Sequence, residues 1–387
     1  MRIPALIAAL ALAANAAAAD ISVNIVWIER QAAERPTLAN LDPLPEDLGR
    51  AGARLGLVDN ASTGKFLKHA YELAEIIVPE DGDMSGAALE ALREGARLLV
   101  VKGAAADLLA IADLPEAEGA LIFNVGSPAP ALRSADCRAN LFHTLPSLDM
   151  RTDALMQFLV RKKWTDLAMV MGKTPEDQAF AGALRNSATK FGLRIRDELI
   201  FDSSADLRRS AGQELPLLLQ DLPDHDVLLV ADEWGDFGPF VLWNTWTPRP
   251  VAGSEGLVPV AWDGVIEAWG AAQLQNRFRE LAGRRMQSVD YAAWAAIRTI
   301  GEAVTRTGTA EADVLRRYIL SEEFGLAAHK GNKLSYRDWN GQLRQPIALV
   351  QPRALVATAP FEGFLHQRTE LDTLGLDEPE SACTAFR

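Results

Sequence analysis

LAMVM (Leu167–Met171), PEDQAFAGALRNSATKF (Pro175–Phe191), LRIRDELIF (Leu193–Phe201) and DVLLVA (Asp226–Ala231) decide how this chain is built. The first, third and fourth are short apolar or β-prone runs, and a helix is expected between the third and the fourth. The second starts with Pro at its first turn, which fits a helix N-terminus because that N–H has no partner anyway. Gly192 ends it. Apolar runs of this length, separated by helices of ten or so residues, predict a parallel sheet covered on both faces.

The same rhythm runs earlier in the chain. ISVNIVWI (Ile21–Ile28) predicts a strand, followed by a loop with Pro36, Pro43 and Pro45 and a helix from about Pro45 to Val58. Asp59-Asn60 reads as the end of that helix, before a turn at Gly64. Strands are expected at Tyr71–Val78, Arg97–Lys102 (RLLVVK) and Ala120–Val125 (ALIFNV), with a helix at Ser85–Glu94. Ser147–Lys163 reads as helical and leads into the second series. Two βαβ series predict an α/β fold of two doubly wound parallel-sheet lobes, not one large sheet. Beyond Val258–Trp262, helices are expected at about Ala268–Leu281, Val289–Thr307 and Ala312–Ser321. Strand-like pieces follow at Asn332–Tyr336 and Ile347–Val350, around the Trp339-Asn340-Gly341 turn, whose Asn-Gly pair favours a hairpin. Ordered structure is expected to about Thr358, with a coil-rich tail after it.

Met1–Ala19 has the pattern of a signal peptide: Arg2, an apolar run over Ala5–Ala14, and small residues at Ala17 and Ala19 before a mature start at Asp20. No later stretch approaches the ~20 apolar residues of a membrane helix. The expectation is a soluble periplasmic protein without direct membrane insertion. The 387 residues, 49% of them hydrophobic, suffice for two domains with real cores. A net charge of −13, with Arg161-Lys162-Lys163 the longest basic run, argues against nucleic acid and anionic membrane surfaces as partners. The two cysteines, Cys137 and Cys383, are expected to form one disulfide in an oxidising compartment, two free thiols being the alternative.

Open parallel sheets bind ligands at the carboxyl ends of their strands. That rule selects Glu29 and Arg30, Gly103 and Ala104, and Gly126 and Ser127 in the first series. In the second it selects Lys173, Thr174, Glu176 and Asp177, then Asp232, Glu233, Trp234 and Asp236, with Trp262 and Asp263 at a crossover. Five of the nine tryptophans fall between Trp234 and Trp269, and an aromatic wall with a few polar groups suits a small-molecule cleft. Asp232, Glu233 and Asp236 are oxygen-rich enough to consider a hard cation, but no EF-hand spacing is present, and carboxylates at a helix N-terminus are the commoner explanation. No metal or cofactor is expected. Enzyme signatures are missing too: Ala252-Gly253-Ser254-Glu255-Gly256 has Ala where a nucleophile elbow needs Gly, and no Walker A, GxGxxG or HExxH occurs.

Several segments carry a resemblance. Phe142–Ser147 (FHTLPS) looks like a "FRTxPS" crossover, Val160–Met171 (VRKKWTDLAMVM) like "xxxGWKKVAVLY", and Gly331–Ile347 like a terminal "GxxxFDxxGxxxxP" hairpin; Tyr291–Thr307 matches a long first-lobe helix. The chain resembles the type I periplasmic binding proteins, in particular the branched-chain amino acid receptors of ABC transporters. More closely, WIERQAAERP (Trp27–Pro36), Leu41–Phe66 and ADEWGDFGPF (Ala231–Phe240) are similar to the branch associated with PQQ-dependent alcohol dehydrogenase systems. The resemblance implies lobe 1 from 20–145 plus about 263–324, and lobe 2 from 146–262 plus about 325–387. It implies a monomer that closes on a small molecule and delivers it to an inner-membrane ABC permease. A sensor of the same fold, signalling to a membrane partner, is the alternative.

The departures from that family bear on the ligand. The loop after RLLVVK is Gly103-Ala104-Ala105-Ala106, without a hydroxyl. Pro128 stands where the family has Thr, and Phe180 replaces the Tyr of a "DxxYG" pattern. An amino acid would leave charged groups poorly paired there, which is costly, so an amino acid ligand is not expected.

Overall fold

The computed structural model describes residues 20–32, 44–202 and 207–386. The expected signal peptide, together with Pro36 and Pro43, lies outside the described residues. The first series is β1 (Ile21–Arg30), α1 (Arg50–Leu67), β2 (His69–Val78), α2 (Met84–Arg93), β3 (Leu98–Lys102), α3 (Ala105–Ala112), β4 (Leu121–Asn124) and β5 (Leu141–His143). Its five strands form a parallel sheet in the order β2-β1-β3-β4-β5.

The second series is α4 (Leu148–Lys162), β6 (Asp166–Met171), α5 (Pro175–Lys190), β7 (Arg194–Ile200), α6 (Leu207–Leu219), β8 (Val227–Ala231), α7 (Gly238–Val241) and β9 (Val251–Gly253). It makes a four-stranded parallel sheet, β7-β6-β8-β9. After β10 (Val258–Val260) the chain returns to the first lobe as α8 (Ala271–Ala282), α9 (Ser288–Thr307) and α10 (Ala312–Ile319). The short strands β11 (Leu326–Ala327), β12 (Lys333–Tyr336) and β13 (Leu343–Arg344) follow, then the hairpin β14 (Ile347–Gln351) and β15 (Ala354–Ala359).

The hairpin sheet β10-β14-β15 stands between the two bodies, and strand periodicity makes it a shared wall. Along β14, Ile347 and Leu349 join the second core while Ala348 and Val350 join the first. Leu326, Leu334, Tyr336 and Leu343 pack in the first core.

Two expectations are corrected. The first helix runs on through Asp59 and Asn60 to Leu67, where Lys68 in the left-handed region closes it. Asp59 and Asn60 face α9 instead of ending α1: Asp59 accepts from Trp294 Nε1 at 2.9 Å, and Asn60 Nδ2 donates to Ile297 O at 2.7 Å. The two helices touch backbone to backbone, since a Cβ on Gly52 would lie 1.9 Å from Asp290 O and one on Gly56 2.8 Å from Ile297 Cβ.

The tail is also more ordered than expected. Beyond β15 it contributes two 3-10 turns, Glu370–Thr373 and Glu378–Glu380. Asp372 is buried between Arg337 (Nε 2.8 Å) and Arg344 (Nε 2.9 and 3.0 Å). Gly375 ties to the second lobe, its N–H donating to Asp153 and its carbonyl accepting from Lys190 Nζ, both at 2.8 Å. The tail then crosses to the first lobe. There Ser381 Oγ donates to Arg133 O at 2.9 Å, Cys383 is bonded to Cys137 (S–S 2.07 Å), and Phe386 meets Phe142 edge-on. Among the described residues no helix is long and apolar enough to cross a membrane.

Candidate functional site

The carboxyl ends of both parallel sheets carry the residues expected at a ligand cleft, but many of their polar atoms are already engaged. Glu29, 3% exposed, accepts from Trp27 Nε1 at 2.6 Å and from Arg50 at 3.3 Å. Arg30 forks onto Asp107 (3.0 and 2.6 Å) and donates to Gly82 O at 3.0 Å, fastening β1 to the start of α3 and the β2–α2 turn. The Ala104 N–H donates to the same Asp107, at 3.0 Å. The loops after β3 and β4 touch: a Cβ on Gly126 would lie 2.8 Å from Gly103 N. Ser127 is buried, its N–H on Asn124 Oδ1 at 2.8 Å and its carbonyl accepting from Asn124 and Arg133.

Lys102 was not among the expected residues. It ends β3 in register with Glu29, and among the described residues its ammonium makes no hydrogen bond. Burial holds its pKa below the usual lysine value, partly offset by the Glu29 carboxylate. A lysine closing an apolar run directly before Gly103 was the available signal.

The second lobe presents an acidic, braced surface. Arg151 of α4 forks onto Glu233 (2.7 and 3.1 Å), donates to Pro259 O at 3.2 Å and lies 4.8 Å over the Phe180 ring. Burial pushes Glu233 up, but Arg151 and the Ser254 hydroxyl outweigh it and leave the carboxyl below its ordinary value. Asp177 has a capping role: it accepts from Thr174 N at 3.1 Å at the start of α5 and from Glu233 N at 2.8 Å. Asp232 accepts from the N–H groups of Asp236, Phe237 and Gly238 (3.0, 2.8 and 2.5 Å). Both carboxyls sit above their ordinary value, chiefly through burial. Burial and the neighbouring Asp232 raise Glu255 further, to about 7.

Phe180 is fully buried in the second core. Its ring serves packing at the base of the loop, because its position on α5 faces α4 and the sheet. Trp234 and Glu176 meet, Nε1 to Oε2 at 3.1 Å, and Asp236 follows on the same partly exposed loop. Asp263 accepts from Val265 N at 2.9 Å in the turn after the crossover. The tryptophans do not form one wall: Trp243 and Trp246 are exposed, while Trp262 is buried and stacked on Tyr291 (4.8 Å, 8°). Among the described residues no group of three or more His, Cys, Asp and Glu is arranged to hold a metal ion.

Two parallel-sheet lobes, crossed three times by the chain and sharing a hairpin sheet, define the type I periplasmic binding protein fold. Solved structures agree. The chain is similar to a periplasmic binding protein of Burkholderia mallei (15% identity, TM-score 0.69, 95% of this chain and 99% of that one). It is also similar to the leucine-, isoleucine-, valine-, threonine- and alanine-binding protein of Brucella ovis in its closed conformation (15%, 0.71, 94% and 98%). A branched-chain amino acid ABC transporter periplasmic ligand-binding protein of Burkholderia xenovorans matches comparably (14%, 0.72, 94% and 100%). No family model and no curated protein matches the chain.

Proposed function

We propose that this protein is the periplasmic substrate-binding component of an ABC transporter, exported by its N-terminal leader. It captures one small molecule between its lobes as a monomer, without catalysis, and delivers it to an inner-membrane permease. The observation that carries the reading is the fold itself, two parallel-sheet lobes joined by three crossovers, with Lys102 at a strand end of the first and Glu233 and Glu176 at strand-end loops of the second. A hinge between such surfaces binds by closing on its ligand. The likeness to solved transporter binding proteins supports the general role.

The ligand is not an amino acid. The Gly103–Ala106 loop offers no hydroxyl, Ser127 is buried, and Phe180 has no phenol and lies inside the second core. Marker segments at Trp27–Pro36, Leu41–Phe66 and Ala231–Phe240 link the protein to PQQ-dependent alcohol oxidation. Native mass spectrometry of protein purified gently from periplasm, with calorimetric titration of leucine, tests both levels. One small molecule per chain and no heat with leucine is the expected result. Micromolar leucine binding overturns the exclusion, and a protein that neither carries nor takes up any small molecule overturns the transport role.

A further inference from the structure

The cations gathered around the carboxyl ends of β1 and β3 are spent inside the first lobe, with one exception. Arg30 forks onto Asp107 (3.0 and 2.6 Å). Arg50 donates to Glu29 at 3.3 Å and to Glu46 O at 3.2 Å. Arg284 forks onto Asp290 (2.7 and 2.9 Å) and reaches Asp47 at 2.8 Å. The exception is Lys102, whose ammonium makes neither a hydrogen bond nor an ion pair among the described residues.

Lys102 also stands where a ligand is expected. The sheet order β2-β1-β3-β4-β5 reverses direction between β1 and β3, and open α/β sheets leave a ligand crevice at such a switch point. Glu29 and Lys102 are the last register pair of those two strands. Alternation sets their face: Ile25 and Trp27 of β1 and Leu98 and Val100 of β3 pack in the first core, so Glu29 and Lys102 continue that face past its end. Lys102 is partly exposed there, and the Gly103-Ala104 turn after it carries no side chain longer than a methyl.

Two carboxylates act on Lys102 from a distance, Glu29 and Asp290, and each is held by an arginine. A half-buried cation in this position is penalised by desolvation until an anion reaches it. One ammonium matches one negative charge. A phosphate or sulfate calls for several donors, which Arg30, Arg50 and Arg284 no longer supply. In the second lobe the carboxylates expected to meet a ligand ammonium are engaged, Glu233 by Arg151 and Asp177 and Asp232 by backbone N–H groups.

We propose that Lys102 sets the ligand class of the interlobe cleft, and that the ligand is a small monocarboxylic acid without an α-amino group, its carboxylate accepting from the Lys102 ammonium at the β1/β3 switch point. This rests on the capture role proposed above and narrows it.

Carboxylates and their amides, alike in shape and different in charge, are the probes. Acetate, propionate, lactate, hexanoate and benzoate, each beside its amide, are titrated calorimetrically into the mature protein. At least one carboxylate is expected to saturate below about 1 mM and to bind about tenfold or more tightly than its amide. Lys102→Met should weaken that carboxylate about tenfold and leave the amide unchanged, while Lys102→Arg keeps the preference. Since no side chain depends on Lys102, Lys102→Met should melt no lower than the native protein by circular dichroism. Equal binding of acid and amide, a preference that survives Lys102→Met, or no saturation by any of the carboxylates overturns the proposal. Native mass spectrometry separates that failure from failure of the capture role. One neutral or amine-bearing molecule per chain overturns the carboxylate and leaves capture standing, whereas a protein that takes up no small molecule overturns both.

Discussion

Arg151→Met is the perturbation that tests the braced loop of the second lobe most directly. Arg151 and Glu233 are each 19% exposed at the side chain. Their fork-on-fork pair therefore lies between a surface ion pair worth about 0–1 kcal/mol and a buried one whose rupture costs about 3–5 kcal/mol. Removing the guanidinium leaves Glu233 with only the Ser254 hydroxyl at 3.1 Å and forfeits the contact over Phe180, worth about 1 kcal/mol. A loss of about 3 kcal/mol is expected. Glu233→Gln keeps the shape and should cost about 1–2 kcal/mol, and the double variant should recover a coupling of about 2 kcal/mol.

Urea denaturation followed by circular dichroism measures all four proteins. The pH response sharpens the test. In the native protein the Glu233 carboxyl is held low, so its contribution is present above the ordinary glutamate pKa and is lost as pH falls. Without Arg151, burial is opposed only by the Ser254 hydroxyl and raises the folded pKa, so Arg151→Met loses stability as pH rises instead. Two single losses that simply add, with parallel pH profiles, would refute the view that this pair braces the loop.

Other outcomes follow from the same reasoning. The disulfide closes a separation of 246 residues, so Cys137→Ser should cost about 5 kcal/mol on the loop-entropy scale, read as a shift in denaturation that reductant reproduces in the native protein. Asp372→Asn strands two buried guanidinium groups, Arg337 and Arg344, and should cost about 3–5 kcal/mol while exposing the tail to limited proteolysis. Glu255, raised to about 7 in the fold, favours folding below the ordinary glutamate pKa and loses that contribution as pH rises through 7. Glu255→Gln should remove this decline, which is at most about 1.4 kcal/mol per pH unit. Phe180→Tyr buries a hydroxyl in the second core and should cost about 1–3 kcal/mol, with ligand affinity unchanged in calorimetry.

What could be read from the chain depended on whether the signal was local. LAMVM, DVLLVA and RLLVVK are runs buried on both faces, and their element type survived with shifts of a residue or so. β15 escaped notice because ALVATA is an edge strand, half exposed and rich in alanine. Asp59-Asn60 looked like a helix stop because their partners, Trp294 and Ile297, lie more than 230 residues away. Gly52 and Gly56, four apart on α1, were the local hint that another helix comes close. At the site, strand-end loops were located by topology alone, but which carboxylates remain available was not legible. Asp177 and Asp232 are consumed by nearby N–H groups, and Glu233 by an arginine 82 residues back. Lys102 was passed over because a lone lysine carries no motif.

For the capture by lobe closure proposed above, the tail that leaves Gly375 on the second lobe and ends bonded to Cys137 on the first has a consequence. The three peptide crossovers act as a pivot, and this segment adds a fourth, covalent tether outside it. A tether of so few residues sets a ceiling on how far the lobes can part. It keeps the effective concentration of one face at the other high. Less rotational freedom then remains to be lost when the lobes shut, so more of the contact energy in the cleft appears as affinity. Cutting the tether would leave every cleft contact in place and still loosen the grip.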